Sequence, residues 1–283
     1  MLPEGSAVIV TPRQIFNHLV LIAGTLFLFC PIILMVVAST QSTGSLSQNG
    51  LGFVPGGLGA ANYAAVAQLE AGFTDQITAL AMLRNSLIIA TGVGVLTMGI
   101  SLMAAYALVF FRLPLAGPLF WLTMLTLLLP LESRFITTFQ VAATLGIVNT
   151  YAGMILPALA IALGTLFFRQ LFLTFPKEIV EAARLDGAGP VRFFVDFIVP
   201  LSRVYGGAVF VVSFMIGWNQ YLWPLILSTD ETRYTVLRGL RLIGLESGPG
   251  MALAVLTILP PLVLVILFQR SIHCALADPK ATV

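Results

Sequence analysis

Polar chemistry is gathered in three places in this 283-residue chain. Glu132 and Arg134 follow Pro130 in the stretch LLLPLESRFI. Such a pair can face a ligand at membrane depth, or it can snorkel to the interface as two ordinary charges. Asn219 and Gln220 lie in GWNQYLWPL, flanked by Trp218, Tyr221 and Trp223. Two neighbouring amides present paired donors and acceptors, which suit a hydroxylated ligand. The aromatic residues around them read equally well as an interfacial belt. The third place is PKEIVEAARLDGAGPVRFFVDFIVP, residues 176–200, where Lys177, Glu178, Glu181, Arg184 and Asp186 crowd together. Charges at that density offer a surface that a partner can grip; from the residues alone the stretch reads equally as a re-entrant or surface loop joining two spans.

None of the three is a catalytic set. The chain has no glycine-rich phosphate loop closed by Lys-Ser/Thr, no Ser/His/Asp arrangement and no HExxH. It is therefore expected to be no enzyme and to bind no nucleotide itself. Cys30 and Cys274 cannot make a disulfide framework, and no Cys/His spacing suits a metal. His18 and His273 lie near the ends of the first and last apolar runs and read as interfacial residues.

The surroundings of these residues are lipid-soluble. The chain is 58% hydrophobic and 9% charged, against about 25% charged in soluble domains. Its net charge of +2 is too small to argue for nucleic acid. Six apolar runs approach the ~20 residues that a membrane span needs: 19–38 (with Pro31 inside), 86–111, 115–131, 151–168, 204–227 and 251–268. Helices satisfy their own backbone groups in lipid, and β-barrel alternation is absent. The expected fold is an all-α integral membrane bundle of six transmembrane helices. The stretch before Leu19 does not read as a cleavable leader, so the first run is expected to remain as a transmembrane helix. Gly92, Gly94, Gly99, Ala104 and Ala105 in the second run are expected to let helices pack closely.

Lys and Arg favour the cytoplasmic side. With the N-terminus inside, Arg13, Arg112, Arg169, Lys177, Arg184, Arg192, Arg203, Arg270 and Lys280 fall inside. Only Arg84, Arg134, Arg233, Arg238 and Arg241 fall outside, and the long loop 39–83 holds no Lys or Arg at all. Both termini and the 176–200 loop are thus expected in the cytoplasm. In that loop Pro176 suits a first helical turn, and Glu181 and Arg184 share a face. Gly187 and Gly189 stop the helix, and Pro190 opens a second one that ends near Pro200. The pattern predicts helix, sharp turn, helix, with small alanines on an exposed knuckle. The outer loop contains QSTGSLSQNGLGFVPGGLG and then a helix-like stretch over 62–79. The chain divides into 1–76 (N-terminal segment, first span, outer loop), 77–272 (five-helix core with the 176–200 loop) and a cytoplasmic tail, 273–283.

Glu181-Ala182-Ala183, then Gly187 and Pro200, resemble the EAA signature of binding-protein-dependent ABC import permeases. The longer run EAARLDGAGPVRFF…VPLS is similar to the sugar-type branch, with Phe197 and Val199 standing where the branch has Ile and Leu. FVPGGLGAANY and MLRNSLIIA also look like that branch. FWLTMLTLLLPLE and GWNQYLWPL look nearer to sn-glycerol-3-phosphate permeases than to maltose-like ones. The resemblance covers nearly the whole chain, most firmly 83–270.

It implies a type I importer permease fold and a multi-pass protein of the bacterial inner membrane. It also implies a coupling role for Glu181, Ala182, Ala183, Asp186 and Gly187, and a substrate pathway near Glu132, Arg134, Trp218, Asn219, Gln220 and Trp223. Implied partners are a second permease subunit, two copies of a cytoplasmic ATPase that carry ATP and Mg, and an extracytoplasmic binding protein. The outer loop is expected to meet that binding protein. An ion-coupled secondary transporter is a different class of reading; it would need acidic or histidine relays inside the spans, whereas the acidic residues here sit in loops.

Overall fold

The structure is a computed structural model that describes residues 12–68, 76–129, 131–159, 162–244 and 246–276. The described part is helical. The chain divides into two compact units, Met1–Val66 with Gly244–Val255, and Ala67–Ile243 with Leu256–Val283.

In the first unit α1 (Pro12–Ala38) is 27 residues long and runs through Pro31. Its apolar side chains are exposed along most of its length, Phe27 and Leu28 among them, which suits a helix wrapped in lipid. The loop beyond it, expected on the outer side, is folded. It contains α2 (Thr43–Asn49), capped by the Ser42 hydroxyl, which accepts from the Ser45 N–H, and α3 (Gly59–Val66). Hydrogen bonds close the loop on itself: Gly56 N–H to Thr40 Oγ1 at 2.8 Å, Gln41 Nε2 to Val54 O at 2.6 Å, and Asn62 Nδ2 to the carbonyls of Ser39 and Gln41. Such bonds hold a glycine-rich segment that burial alone would leave loose. Of the helix expected over 62–79, α3 is the described helical part; residues 67–68 and 76–78 are not helical, and residues 69–75 lie outside the described residues.

The second unit is organised on α4 (Ala79–Phe110), a 32-residue helix capped by Thr78. Small residues let its neighbours in. A Cβ on Gly217 would stand 3.0 Å from the Ala90 Cα, one on Gly94 2.8 Å from the Phe210 ring, and one on Gly164 2.6 Å from the Ser101 Oγ. Gly92 likewise abuts Ile155, while Gly99 has nothing within 4 Å, so close packing is not its role within this chain.

The third apolar run is shorter than expected. Its helix α5 (Ala116–Leu125) tightens into a 3₁₀ turn over Thr126–Leu128 and stops at Leu129, whose backbone is extended. A residue before proline is driven out of the helical region, and Pro130 itself lies outside the described residues. After a second 3₁₀ turn, Leu131–Arg134, comes α6 (Phe135–Thr144).

The fourth run is broken. α7 (Tyr151–Ile155), continued as a 3₁₀ turn over Leu156–Leu159, and α8 (Leu163–Leu173) meet at 49°.

The fifth run begins far earlier than expected. α9 (Lys177–Leu185) is followed by α10 (Pro190–Phe193), and the helix does not end near Pro200. It widens into a π turn over Phe194–Ile198 and continues as α11 (Val199–Trp218). The Val199 N–H reaches back to Phe194 O. A wider turn accommodates a proline that lacks an N–H and would otherwise clash with the carbonyl four residues back. The run then stops at Asn219 and resumes as α12 (Leu222–Leu227), since Pro224 bars a helix running through Gln220. α13 (Val236–Ile243) lies before α14 (Gly248–Leu276). α14 thus includes the first residues of the expected tail, and 277–283 lie outside the described residues.

Among the described residues, four helices are long and apolar enough to cross a membrane: Pro12–Ala38, Ala79–Phe110, Pro190–Trp218 and Gly248–Ala275. Counting the bent pair as one span makes five. The expected six-helix count is therefore not reached among the described residues by length and composition. The 13 residues of Ala116–Leu128 rise only about 20 Å at 1.5 Å per residue, short of the ~30 Å hydrocarbon core.

Candidate functional site

The 176–200 loop folds as the pattern predicts up to its turn. The carbonyl of Pro176 accepts from Ile179 N–H. At the far end Gly187 has φ +71°, a left-handed conformation that glycine adopts without a Cβ penalty. The Ala188 N–H then returns to Ala183 O at 2.9 Å, the 6→1 bond of a glycine-closed helix end. Glu181, Ala182, Asp186 and Gly187 are all exposed on this knuckle. Ala183 is not. It is 1% exposed and belongs to the core formed with Tyr106, Phe168, Phe172 and Phe193. The expectation of two exposed alanines is corrected here: helical geometry turns adjacent residues about 100° apart, so one faces out and the other in. The side chain of Arg184 lies outside the described residues, so its pairing with Glu181 does too. Arg192 and Asp196 do pair, at 3.3 Å, but both are solvent-exposed, where such a pair contributes little.

Beneath the knuckle lies an aromatic saddle. The rings of Phe110, Phe111, Phe193 and Phe194 stand 5.0–6.3 Å from that of Tyr106. The Tyr106 hydroxyl donates to Pro190 O at 2.8 Å. A cleft of about 430 Å³ opens between them, lined in part by Arg112, Val180, Ala183 and Ala188.

The pathway candidates are less uniform. Arg134 is half-buried at the N-cap of α6, and its Nε is buried without a hydrogen-bond partner. The side chain of Glu132 lies outside the described residues. Asn219 is exposed and donates to Met215 O at 2.9 Å, closing the end of α11, and Gln220 is half-buried. Trp218 stacks on Phe214 at 5.8 Å and 13° and is buried. Trp223 is 1% exposed in a core with Ile89, Met154 and Leu227, its indole N–H unpartnered. Both indoles thus stand inside the protein. Ala142 of α6 shares the Trp223 core, so the elements that carry the two polar candidates pack together. No hydrogen bond joins Arg134 to Asn219 or Gln220 among the described residues.

A network that no spacing in the sequence announces ties α4 to the loop between α12 and α13. Asn85, fully buried, donates to the carbonyls of Thr232 and Tyr234 and accepts from the Tyr151 hydroxyl at 2.8 Å. Ser86 Oγ accepts from Val236 N–H. Asn149 Oδ1 accepts from the N–H groups of Thr229 and Asp230. Arg238 donates to the carbonyls of Pro224, Leu225 and Ser228, with its guanidinium 3.6 Å from the Tyr234 ring centroid. The Asp230 carboxyl accepts from Thr232 N–H, which, with the Thr232 hydroxyl and nearby Arg233, holds it below the usual carboxylate range. Asn85 lies in the MLRNSLIIA stretch, but one asparagine in an apolar helix carries no distinguishing pattern.

Residues 101–275, which include the knuckle, the saddle and much of this network, match the family model of the binding-protein-dependent transport system inner membrane component. The chain belongs to that family. It is accordingly a multi-pass, non-catalytic inner-membrane permease subunit, and ATP hydrolysis resides on other subunits. The chain is 39% identical over 273 residues to the sn-glycerol-3-phosphate transport system permease protein UgpE of Yersinia pestis, covering 94% of this chain and 97% of that one. The protein of the same name from Pectobacterium atrosepticum is 40% identical over 274 residues, with the same coverage. That from Rhizobium meliloti is 39% identical over 266 residues, covering 91% and 93%. The fold is similar to that of a chain in a bacterial ABC transporter involved in the import of the acidic polysaccharide alginate. The TM-score is 0.77 and the identity 19%, over 95% of this chain and 99% of that one.

Proposed function

We propose that this permease subunit forms half of the translocation pathway of an ATP-driven importer for sn-glycerol 3-phosphate. The reading rests on one observation above the rest: identity of 39–40% over 94% of the chain with permeases named for that substrate. Arg134 supports it, since a half-buried guanidinium with an unpartnered Nε is a suitable donor for a phosphate. Asn219 and Gln220 then offer amides to the glycerol hydroxyls, Glu132 lies beside Arg134 in sequence, and Trp218 and Trp223 stiffen the wall behind them. The partners in this reading are a second permease subunit, two ATPase copies that carry ATP and Mg, an extracytoplasmic binding protein and membrane lipid.

In the same reading six crossings are made, the third by the short helix Ala116–Leu128 together with the residues directly after it. Both termini and the knuckle face the cytoplasm, and the core begins near residue 77. Glu181, Ala182, Asp186 and Gly187 present the surface that an ATPase grips, while Ala183 anchors that surface to the bundle. The folded outer loop over 39–66 meets the binding protein. ATP closes the ATPase pair, the knuckle moves with it, and a two-state bundle shifts between outward and inward access through contacts made in one state only.

The test is ATP-dependent uptake into proteoliposomes that hold this chain with its cognate partners. Radiolabelled sn-glycerol 3-phosphate should enter and maltose should not. Arg134→Ala should weaken uptake of the phosphate ester by about 10- to 100-fold, the worth of one charge-assisted hydrogen bond. Uptake of maltose alone would overturn the substrate while leaving the family intact. Unchanged uptake of the phosphate ester in Arg134→Ala would return Arg134 to an interface charge.

A further inference from the structure

We infer that α4 is the element through which the coupling loop and the outer loop at residues 229–236 sense one another, with Tyr106 and Asn85 as its positioning residues. This rests on the orientation and coupling role proposed above. The covalent route from the knuckle into the bundle runs through the π turn at Phe194–Ile198 and past Pro200. A π turn is a local fault in helical hydrogen bonding and a place where helices kink, so an anchor that does not run through it holds the knuckle side more directly.

Tyr106 bypasses that fault. Its hydroxyl holds Pro190 O, on the knuckle side of the π turn, and connects it directly to α4. The tyrosine is 9% exposed and enclosed by four phenylalanine rings, so the contact is held in register. Asn85 lies 21 residues earlier on the same helix, roughly 30 Å away at 1.5 Å per residue. It grips the carbonyls of Thr232 and Tyr234 and is itself oriented by the Tyr151 hydroxyl. Between the two anchors α4 is uninterrupted and contains no proline. It is packed against α7, α8 and α11 at Gly92, Gly164 and Gly217 without room for a methyl group. One rigid helix therefore carries a polar grip on each loop.

The experiment uses the whole transporter in proteoliposomes and reads sn-glycerol 3-phosphate taken up per ATP hydrolysed. The wild-type complex is measured first. If it fails to couple ATP to uptake, the functional reading fails and this inference falls with it. Given a coupled wild type, Tyr106→Phe keeps every ring contact and removes only the hydroxyl. It should assemble normally, keep hydrolysing ATP, and lower uptake per ATP by about two- to ten-fold, the worth of one neutral hydrogen bond. Tyr151→Phe loosens the other anchor and should lower the same ratio. The double variant should fall no further than the worse single one, as expected of two sites on one pathway. An unchanged ratio in Tyr106→Phe overturns the inference. So does loss of assembly in that variant, which would make the hydroxyl merely structural, and so does a double variant whose two losses multiply.

Discussion

Ala182 and Ala183 form an internal control for the coupling surface, because they are the same residue on the same helix with opposite surroundings. Ala182 is exposed, whereas Ala183 is 1% exposed against Tyr106, Phe168 and Phe193. Replacing each by leucine adds three carbons. At position 183 these must enter a packed aromatic core, and overpacking of that kind costs about 1–3 kcal/mol. At position 182 they project into solvent, where substitutions stay within about 0.5 kcal/mol, but they would stand on the face proposed to receive the ATPase. Ala183→Leu should therefore lower the thermal unfolding midpoint of the purified chain in detergent, and Ala182→Leu should leave it in place. Retention of the ATPase on affinity-purified Ala182→Leu permease should be lost, despite the intact fold. The reasoning is refuted if Ala182→Leu retains its ATPase at wild-type stoichiometry, or if the two variants unfold at the same temperature.

Glu181→Lys should leave unfolding unchanged and abolish ligand-stimulated ATP hydrolysis by the assembled transporter; normal stimulation would contradict the docking role. Gly217→Ala places a methyl group 3.0 Å from the Ala90 Cα, a backbone atom that cannot swing aside, and should destabilise the chain by about 1–2 kcal/mol. Gly99→Ala, in open space, should be neutral or gain up to about 1 kcal/mol from helix propensity; denaturant unfolding of the pair in mixed micelles decides between these outcomes. Asp230 should titrate below the ordinary value of 3.8, as followed by carbon NMR of labelled aspartate. Because its folded pKa is depressed, its contribution to stability is present above 3.8 and fades as pH falls through the lower folded value. A midpoint at or above 3.8 would mean that the hydrogen bonds from Thr232 are not held in solution.

Some of the site was readable in advance because its signals are local. Gly187 announces a left-handed turn by lacking a Cβ, and the charges of residues 176–186 stand out against an apolar chain. The continuous helix through Pro200 was not readable. A proline after a glycine-rich turn reads as a helix end unless a π turn is there to absorb it. The short third helix and the break at Asn219 go with prolines at 130 and 224, yet apolar composition alone counted both runs as complete spans. Asn85 and Tyr106 carried no warning, since their partners lie 147 and 84 residues away.

The amino-acid order by itself determined a membrane-embedded helical chain with a charged, glycine-closed knuckle, because hydropathy, charge and glycine act over a few neighbouring residues; the permease family came from the resemblance of the EAA stretch. Tertiary structure alone decided which alanine of the knuckle faces out, which tryptophans are core, and which polar side chains bind distant loops to α4. Those outcomes depend on where other helices come to rest, and packing between helices is a long-range property that no single stretch encodes.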